Sequence, residues 1–137
     1  MKATLVTGVI GEDVHNIGIK VIERALKTAG FDIVSLGTRV PADQFVEAAV
    51  KNKADAILIS SVSGHARALC AGFRDKCTKA GLNNIILYIG GHLVIGESKW
   101  EDTEKLFKEM GFDRVYPPST LPETAVTDMK TDLAKRR

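Results

Sequence analysis

The sequence has little excess charge, no long hydrophobic run and only two cysteines. Its 19 basic and 17 acidic side chains leave a formal net charge of +2, and the basic residues are scattered apart from Lys135–Arg137. Nucleic-acid-binding surfaces carry clustered basic residues, so we expect no nucleic-acid partner. No apolar stretch reaches the roughly 20 residues of a membrane-spanning helix, so we expect no membrane association.

The cysteines and the first residues point to a reducing compartment. Cys70 and Cys77 lie in a segment with helical spacing, which would separate them by about 10 Å along the helix axis. That separation is too long for a disulfide within one helix, so we predict buried, reduced thiols. Met1–Leu5 continues directly into a strand pattern without the apolar core of a signal peptide, and we therefore expect a cytoplasmic protein.

Length and composition are those of a globular domain. The chain has 137 residues, of which 45% are apolar and 26% are charged. This is enough to bury a core of its own, and we predict one domain over residues 1–137.

Short β-rich runs alternate with segments of helical spacing. We predict strands at Thr4–Val9, Asp32–Leu36, Ala56–Ser60, Ile85–Ile89 and Arg114–Tyr116. We predict helices over residues 17–29, 41–50, 66–80, 100–110 and from 122 to the end. In the first helix the predicted buried stripe contains Ile17, Val21, Ile22, Ala25, Leu26 and Ala29. The alternation predicts an α/β fold, a doubly wound domain of flavodoxin or Rossmann type with a five-stranded parallel sheet flanked by helices.

The segment after the first predicted strand combines Asp13, His15 and Gly18. An aspartate beside a histidine fixes the imidazole tautomer and makes the other ring nitrogen a better metal ligand. A glycine allows close approach of the main chain to a large ligand. A histidine with an accidental acidic neighbour is the alternative, because this pattern alone is weak evidence.

Two further segments follow predicted strands at the edge where open α/β sheets bind ligands. Ser60–Gly64 follows the third strand, and Gly90–Gly96 follows the fourth. Small residues leave space, hydroxyls hydrogen-bond a desolvated polar group, and the apolar Leu93–Ile95 would form a wall for a flat ligand. Together the three segments predict a deep, narrow cleft with a histidine at its mouth.

The pattern Asp13-x-His15-x-x-Gly18, followed by Ser60-x-Val62 and Gly90-Gly91, resembles the cobalamin-binding signature Asp-x-His-x-x-Gly, Ser-x-Leu, Gly-Gly in residue types and spacing. Val62 stands where that family usually has leucine, which is a conservative exchange. The chain further resembles the small, cobalamin-binding subunits of glutamate mutases (methylaspartate mutases) along nearly its whole length. Met110–Pro118 is more specific to that subunit than the signature is.

This resemblance implies roles for the matching residues. His15 would be the lower axial ligand of cobalt in place of the cofactor's own dimethylbenzimidazole, with Asp13 on the other imidazole nitrogen. Gly18 would let the nucleotide tail pass, and Ser60 would hydrogen-bond the buried benzimidazole. We expect a bulky side chain at Gly91 to exclude the cofactor while leaving the fold intact. The expected cofactor-binding residues are Glu12, Asp13, Val14, His15, Asn16, Gly18, Ser60, Ser61, Val62, Gly90, Gly91, His92, Leu93, Val94, Ile95 and Gly96.

The resemblance also implies that the chain is the cofactor-carrying subunit of an adenosylcobalamin-dependent mutase. A separate large subunit would supply the substrate site, and homolysis of the cobalt–carbon bond would start the radical rearrangement of glutamate to 3-methylaspartate. The sequence shows no recognisable arginine pair for a substrate carboxylate. We therefore expect no catalytic residue in this chain and no activity without the partner.

Other proteins share parts of the pattern. A phosphoryl-accepting receiver needs an aspartate at the end of the third strand, where Ser60 and Ser61 stand. A flavodoxin needs a phosphate-binding loop after the first strand, where Gly11–Asp13 is acidic. Corrinoid carriers normally have a helical module ahead of the domain, which we do not expect because the first strand begins near residue 3. A corrinoid carrier or cobalamin sensor remains the alternative.

Overall fold

The computed structural model describes residues 3–10, 17–61, 70–82, 84–91, 99–117 and 120–135, with the main chain only for residues 17 and 18. Within these residues the strands are β1 (Thr4–Val9), β2 (Asp32–Ser35), β3 (Ala56–Ser61), β4 (Ile86–Gly91) and β5 (Arg114–Tyr116). The helices in the same part of the chain are α1 (Ile17–Thr28), α2 (Ala42–Asn52), α3 (Phe73–Lys79), α4 (Trp100–Glu109) and α5 (Pro122–Lys135).

The five strands form one parallel sheet in the order β2-β1-β3-β4-β5. The chain moves outward from β1 to β2 and then crosses to β3 on the other side of β1. This is the flavodoxin-like order, and its switch point lies between β1 and β3. The predicted α/β fold is confirmed.

A hydrophobic core lies on each face of the sheet. Between the sheet and α2, α3 and α4, the buried side chains include Val6, Phe45, Ile57, Phe73 and Phe107. Between the sheet and α1 and α5, they include Leu5, Leu26, Leu58, Tyr88 and Met129. Because both faces are covered, Ala56–Ile59 is buried throughout, as expected of a strand in a parallel sheet.

Two strands extend further toward the carboxyl edge than their composition predicts. The predicted third strand ended at Ser60 and the fourth at Ile89, and the segments with Gly90 and Gly91 were expected to be loop. In the structure these residues still pair, Ser60 with Gly90 and Ser61 with Gly91. Glycine has a low strand propensity, and the pairing between neighbouring strands outweighs it. The other differences are small, since β2 ends at Ser35 and β4 begins at Ile86.

The third helix is shorter than its apolar spacing predicts. Cys70 and the two residues after it form a turn, and the helix begins at Phe73. Gly72 has a φ of 73°, a left-handed conformation that cannot continue a right-handed helix. The prediction that Cys70 and Cys77 share one helix is therefore wrong. Both cysteines are nevertheless free and buried, as predicted.

None of the helices in the described part of the chain is both long enough and apolar enough to cross a membrane.

Candidate functional site

The switch point brings the ends of β1 and β3 together at the carboxyl edge of the sheet. After β1, the Ile10 amide donates a hydrogen bond to the Ser60 carbonyl oxygen at 3.1 Å. On the other side, the Val9 amide donates to the Gly37 carbonyl oxygen at 2.8 Å. These contacts hold the chain that leaves β1 between its two neighbours. In sheets of this order a ligand binds at this edge.

A row of four residues crosses the sheet at this edge. The register places Val9 beside Ser60, Ser60 beside Gly90, and Gly90 beside Tyr116. Side chains alternate between faces along a strand, so this row shares the face of Leu58 and Tyr88, which α1 and α5 cover. Its two ends carry large side chains, whereas the middle carries only a hydroxymethyl group and a hydrogen atom.

Gly91 stands at the next register position, beside the fully buried Ser61. Its φ is 113°, and a β-carbon built there would lie 2.0 Å from the Ser61 carbonyl oxygen. A side chain at position 91 would therefore collide with the main chain of β3. The expectation that a bulky residue at Gly91 would leave the fold intact is wrong, because this glycine is needed for the two strands to pair.

Tyr116 forms the far end of the row, and a hydrogen-bonded cluster on α5 fixes it in place. Its hydroxyl donates to the Asp128 carboxylate at 2.7 Å, and the Tyr88 hydroxyl donates to Asp132. Arg114 donates through Nε to Asp132 Oδ2 at 2.8 Å and lies 3.5 Å from Asp128 Oδ1. The two tyrosine rings meet edge to face with their centroids 5.5 Å apart.

These contacts also change the acidities of the cluster. Burial, followed by the hydrogen bonds to the aspartates, raises the pKa of Tyr88 and of Tyr116 above that of a free phenol. The hydrogen bonds from Arg114 hold the pKa of Asp132 below its ordinary value. The phenols therefore stay neutral donors and Asp132 stays an ionised acceptor at neutral pH, which keeps α5 attached to β4 and β5.

The middle of the row fits a ligand with a narrow buried tail. A β-carbon at Gly90 would lie 3.3 Å from the Tyr116 β-carbon, so a side chain at this position would crowd β5. Ser60 is partly exposed and offers a hydroxyl group between Val9 and Gly90. A tail with a polar atom in an otherwise apolar ring system needs one such partner when water is excluded. The residues present thus fit the tail-binding edge of a cobalamin domain.

The chain is similar to known cobalamin proteins over almost its full length. Residues 3–126 match the family described as the B12 binding domain. The chain is 49% identical over 132 residues to the glutamate mutase sigma subunit of Clostridium cochlearium, covering 96% of both chains. It is 45% identical over 135 residues to the sigma subunit of Escherichia coli O157:H7, covering 98% of this chain and 91% of that one. The chain belongs to the B12-binding domain family and to the glutamate mutase sigma subunits.

Solved structures with the same fold belong to proteins of several different functions. A cobalamin-binding protein from Desulfitobacterium hafniense superposes with a TM-score of 0.78 at 22% identity, over 96% of this chain and 59% of that one. The monomethylamine corrinoid protein of Methanosarcina barkeri superposes with a TM-score of 0.74 at 23% identity, over 93% of this chain and 57% of that one. This chain thus spans less than two thirds of either. A signal receiver domain from Mycobacterium tuberculosis gives 0.67 at 16% identity, so the fold alone does not select cobalamin.

Only part of the predicted site of this sigma-family chain lies within the described residues. Ser60, Ser61, Gly90 and Gly91 are brought together at the carboxyl edge, and Gly18 lies in the first turn of α1. The remaining predicted residues lie outside the described ranges: Glu12, Asp13, Val14, His15, Asn16, Val62, His92, Leu93, Val94, Ile95 and Gly96. Their roles, including that of His15 as the cobalt ligand, stay predictions.

A buried polar pair near the site was not predicted. The Thr7 hydroxyl, in the middle of β1, donates a hydrogen bond to the Glu23 carboxylate of α1. Both residues are buried, at 0% and 8% exposure. A threonine inside an apolar strand and a glutamate between buried helix positions are the signals that would have indicated the pair. Helical spacing instead placed Val21 in the buried stripe, and Val21 is 49% exposed.

A groove of about 790 Å³ opens at the opposite, amino-terminal edge of β4 and β5. Arg74 lies in it and donates to the carbonyl oxygens of Gly111 and Ile85 and to the Asp113 carboxylate. The groove is thus on the wrong edge for the predicted ligand. Its most buried cation is already engaged in holding β4, β5 and α3 together.

Proposed function

We propose that this chain carries adenosylcobalamin at the carboxyl edge of its sheet, as the cofactor subunit of a mutase that converts glutamate to 3-methylaspartate. The observation that carries the proposal is the 49% identity to a glutamate mutase sigma subunit over 96% of both chains. The small residues Ser60 and Gly90 in the middle of the row from Val9 to Tyr116 support it, because they lie at the carboxyl edge where open α/β sheets bind ligands. When bound, adenosylcobalamin supplies a carbon-centred radical by homolysis of its cobalt–carbon bond.

The chain's own residues bind and orient the cofactor. His15 would hold the cobalt through an imidazole nitrogen, and Asp13 would accept a hydrogen bond from the other imidazole nitrogen and so fix the tautomer. The Ser60 hydroxyl would donate a hydrogen bond to the benzimidazole, and Gly90 would place no side chain beside it. The other proposed contacts come from the same segments: Glu12, Val14, Asn16, Gly18, Ser61, Val62, Gly91, His92, Leu93, Val94, Ile95 and Gly96.

A separate large subunit supplies the substrate site. The term sigma subunit in the names of the relatives supports this division. A corrin ring is flat and large, and a domain of this size covers one side of it. Radical chemistry requires that the other side also be sealed from water, so we assign that side to the partner. Cofactor and partner should then raise each other's affinity for this chain.

The direct test combines this chain, a large glutamate mutase subunit, adenosylcobalamin and glutamate. We expect 3-methylaspartate only when all four are present, and sedimentation should show a complex that the cofactor strengthens. Turnover by this chain with cofactor alone would contradict the proposal. Cobalamin binding without turnover alongside any large subunit would instead favour a corrinoid carrier or sensor.

Electron paramagnetic resonance tests the axial ligand independently of activity. In the Co(II) form, nitrogen-15 labelling of the histidines should change the hyperfine splitting, and His15→Ala should abolish that change. A splitting that follows label in the benzimidazole would contradict the assignment.

The different roles proposed for His15 and Asp13 predict unequal losses of cobalamin affinity when each is replaced by alanine. Removing a partner of a ligating histidine costs about 10–100-fold in metal affinity or activity, whereas His15→Ala removes the bond itself. Absorbance titration with cobalamin should therefore show a smaller loss for Asp13→Ala than for His15→Ala. Equal losses would mean that the two residues do not have these roles.

A further inference from the structure

Tyr116 belongs to the part of the cross-sheet row that a ligand can reach. Ser60, Gly90 and Tyr116 are each partly exposed at the carboxyl edge. Two residues further inward on β3 and β4, and on the same face, Leu58 is 5% exposed and Tyr88 is 2% exposed. A ligand on this edge can therefore contact the row from Ser60 to Tyr116, whereas the row beneath it is closed.

The Tyr116 side chain stands close to Gly90. A β-carbon built at Gly90 would lie 3.3 Å from Cβ of Tyr116 and 4.0 Å from its ring atom Cδ2. The ring therefore borders the position where Gly90 has no side chain. Ser60 borders the same position on the other side, since Ser60 and Tyr116 lie two strand spacings apart, roughly 10 Å.

Hydrogen bonding holds the Tyr116 ring in this position. The phenolic hydroxyl donates to Oδ2 of Asp128 at 2.7 Å, and Nη1 of Arg114 lies 3.5 Å from Oδ1 of the same aspartate. A ring that is already fixed loses little conformational freedom when a ligand packs against it. Tyr116 is thus presented in one orientation at the end of the accessible row.

The chemistry of the accessible row suits a flat apolar ring system with one polar atom. Ser60 offers a hydroxyl at one end, Gly90 has no side chain, and Tyr116 offers an aromatic ring at the other end. Two aromatic rings attract each other beyond what the burial of their surface supplies. The benzimidazole at the end of the nucleotide tail of cobalamin is a ring system of this kind.

We propose that Tyr116, positioned by Asp128, packs against the benzimidazole and so makes the chain prefer corrinoids that have the nucleotide tail. This rests on the proposed function, which places the benzimidazole beside Ser60 and Gly90. Tyr116 is then a specificity-determining residue, and Asp128 acts through it as a positioning residue.

The test compares cobalamin with cobinamide, the corresponding corrinoid without the nucleotide, by absorbance titration of the full-length chain. Tyr116→Leu keeps an apolar side chain but removes the ring. We expect its cobalamin affinity to fall about two- to tenfold and its cobinamide affinity to stay unchanged. Tyr116→Phe keeps the ring and should lose less cobalamin affinity than Tyr116→Leu does. Unchanged cobalamin affinity in Tyr116→Leu, or equal losses for the two ligands, would overturn the proposal.

Phe112→Leu is the matched control for the loss of an aromatic ring. Phe112 is 3% exposed, lies just before β5 and stacks on Phe73 in the core on the opposite face of the sheet. Its replacement lowers stability without touching the cofactor edge, so both affinities should stay unchanged. If Phe112→Leu lost cobalamin affinity as Tyr116→Leu does, lower stability would explain the effect and the contact would be refuted.

Asp128→Ala covers the case in which Tyr116→Leu does not fold. It keeps the ring and removes the acceptor of its hydroxyl, so we expect cobalamin affinity to fall at least about twofold, with cobinamide affinity unchanged. Unchanged cobalamin affinity in this variant would overturn the positioning role of Asp128. If the wild type failed to bind cobalamin, or bound cobalamin and cobinamide equally, the proposed binding of the tail would be refuted before any variant is measured.

Discussion

Gly91 and Ser61 meet main chain to main chain at the ends of β4 and β3, with room for no side chain at position 91. The two glycines of this family's signature therefore have different structural roles. Gly91 is needed to build the edge of the sheet, and Gly90 places no side chain between Ser60 and Tyr116. A substitution at one tests the fold, and a substitution at the other tests the site.

Gly91→Ala should destabilise the protein far more than Gly30→Ala does. Both glycines have a positive φ, 113° and 100°, but nothing lies within 4 Å of a β-carbon at Gly30. Gly30→Ala therefore measures the conformational strain alone, about 1–2 kcal/mol. Gly91→Ala adds a collision with the Ser61 carbonyl and should cost at least about 2 kcal/mol more. Urea unfolding of both variants measures the difference, and equal losses would contradict the close contact.

The two tyrosines should not ionise in the folded protein near the usual pH of a phenol. The chain has only two tyrosines, and burial followed by hydrogen bonding to aspartate raises the pKa of each. Because the folded pKa values exceed the unfolded ones, their contribution to stability is complete below about pH 10 and is lost as the pH rises above it.

Ultraviolet absorbance measures this directly. Tyrosinate should appear only together with loss of the circular dichroism signal, whereas the protein in urea should titrate near pH 10. Tyrosinate that forms near pH 10 in a protein with native circular dichroism would mean that the phenols are not held by Asp128 and Asp132.

Asp132→Asn should cost more stability than Asp43→Asn. Asp132 accepts hydrogen bonds from Arg114 and Tyr88, and its side chain is 17% exposed. Asp43 pairs with Lys76 in solvent, with 75% of the aspartate side chain exposed. We expect a loss of about 1.5–3 kcal/mol for the first and under about 0.5 kcal/mol for the second.

The lowered pKa of Asp132 predicts part of the protein's loss of stability at low pH. Arg114 lowers the pKa of Asp132 in the folded state. The stability that the ionised Asp132 contributes is therefore fully present above the ordinary aspartate pKa, and it is lost as the pH falls through the lowered value. The unfolding free energy of Asp132→Asn should therefore fall less than that of the wild type upon acidification below about pH 4. Parallel pH profiles would contradict the assignment.

Cys70 and Cys77 should be unreactive until the protein unfolds. Burial raises the pKa of Cys70 to about 12 and that of Cys77 to about 11, and only the thiolate reacts. At pH 8, a thiol reagent should modify neither cysteine in the native protein and both in urea. Rapid modification of Cys70 in buffer would show that it is not enclosed by Phe73 and its neighbours.

The element order and the parallel sheet could be predicted because they depend on local patterns. Apolar runs such as Ala56–Ile59 and the intervening helical spacing are visible in the sequence. The positions that were missed depend on neighbours in space. β3 and β4 reach Ser61 and Gly91 because each strand supplies the other's hydrogen bonds, and no local propensity indicates this for serine and glycine.

The buried pair of Thr7 and Glu23 could not be predicted for a related reason. Helical spacing shows that one side of α1 is apolar, but it leaves the direction of that side uncertain by about one residue. The apolar Val21 and Ile19 are therefore equally good candidates for the buried side. Packing against the sheet sets the rotation, which buries Ile19 and Glu23 and exposes Val21. The three segments of the signature, in contrast, could be singled out from their residue types and their positions after strands, whereas the cofactor and the role of each residue came from the resemblance.

Ser60 gives the sharpest test of the proposed cofactor edge. Ser60→Leu places a large side chain between Val9 and Gly90, on the face of α1 and α5. We expect circular dichroism to remain native, because Ser60 is partly exposed, and cobalamin affinity to fall by more than about tenfold. Ser35→Leu makes the same exchange at an exposed position of β2 and should leave binding unchanged. Ser60→Ala removes only the hydroxyl and should cost about 1 kcal/mol of binding, roughly fivefold. If Ser60→Leu is folded and binds cobalamin as tightly as Ser35→Leu does, the nucleotide tail does not enter beside Ser60.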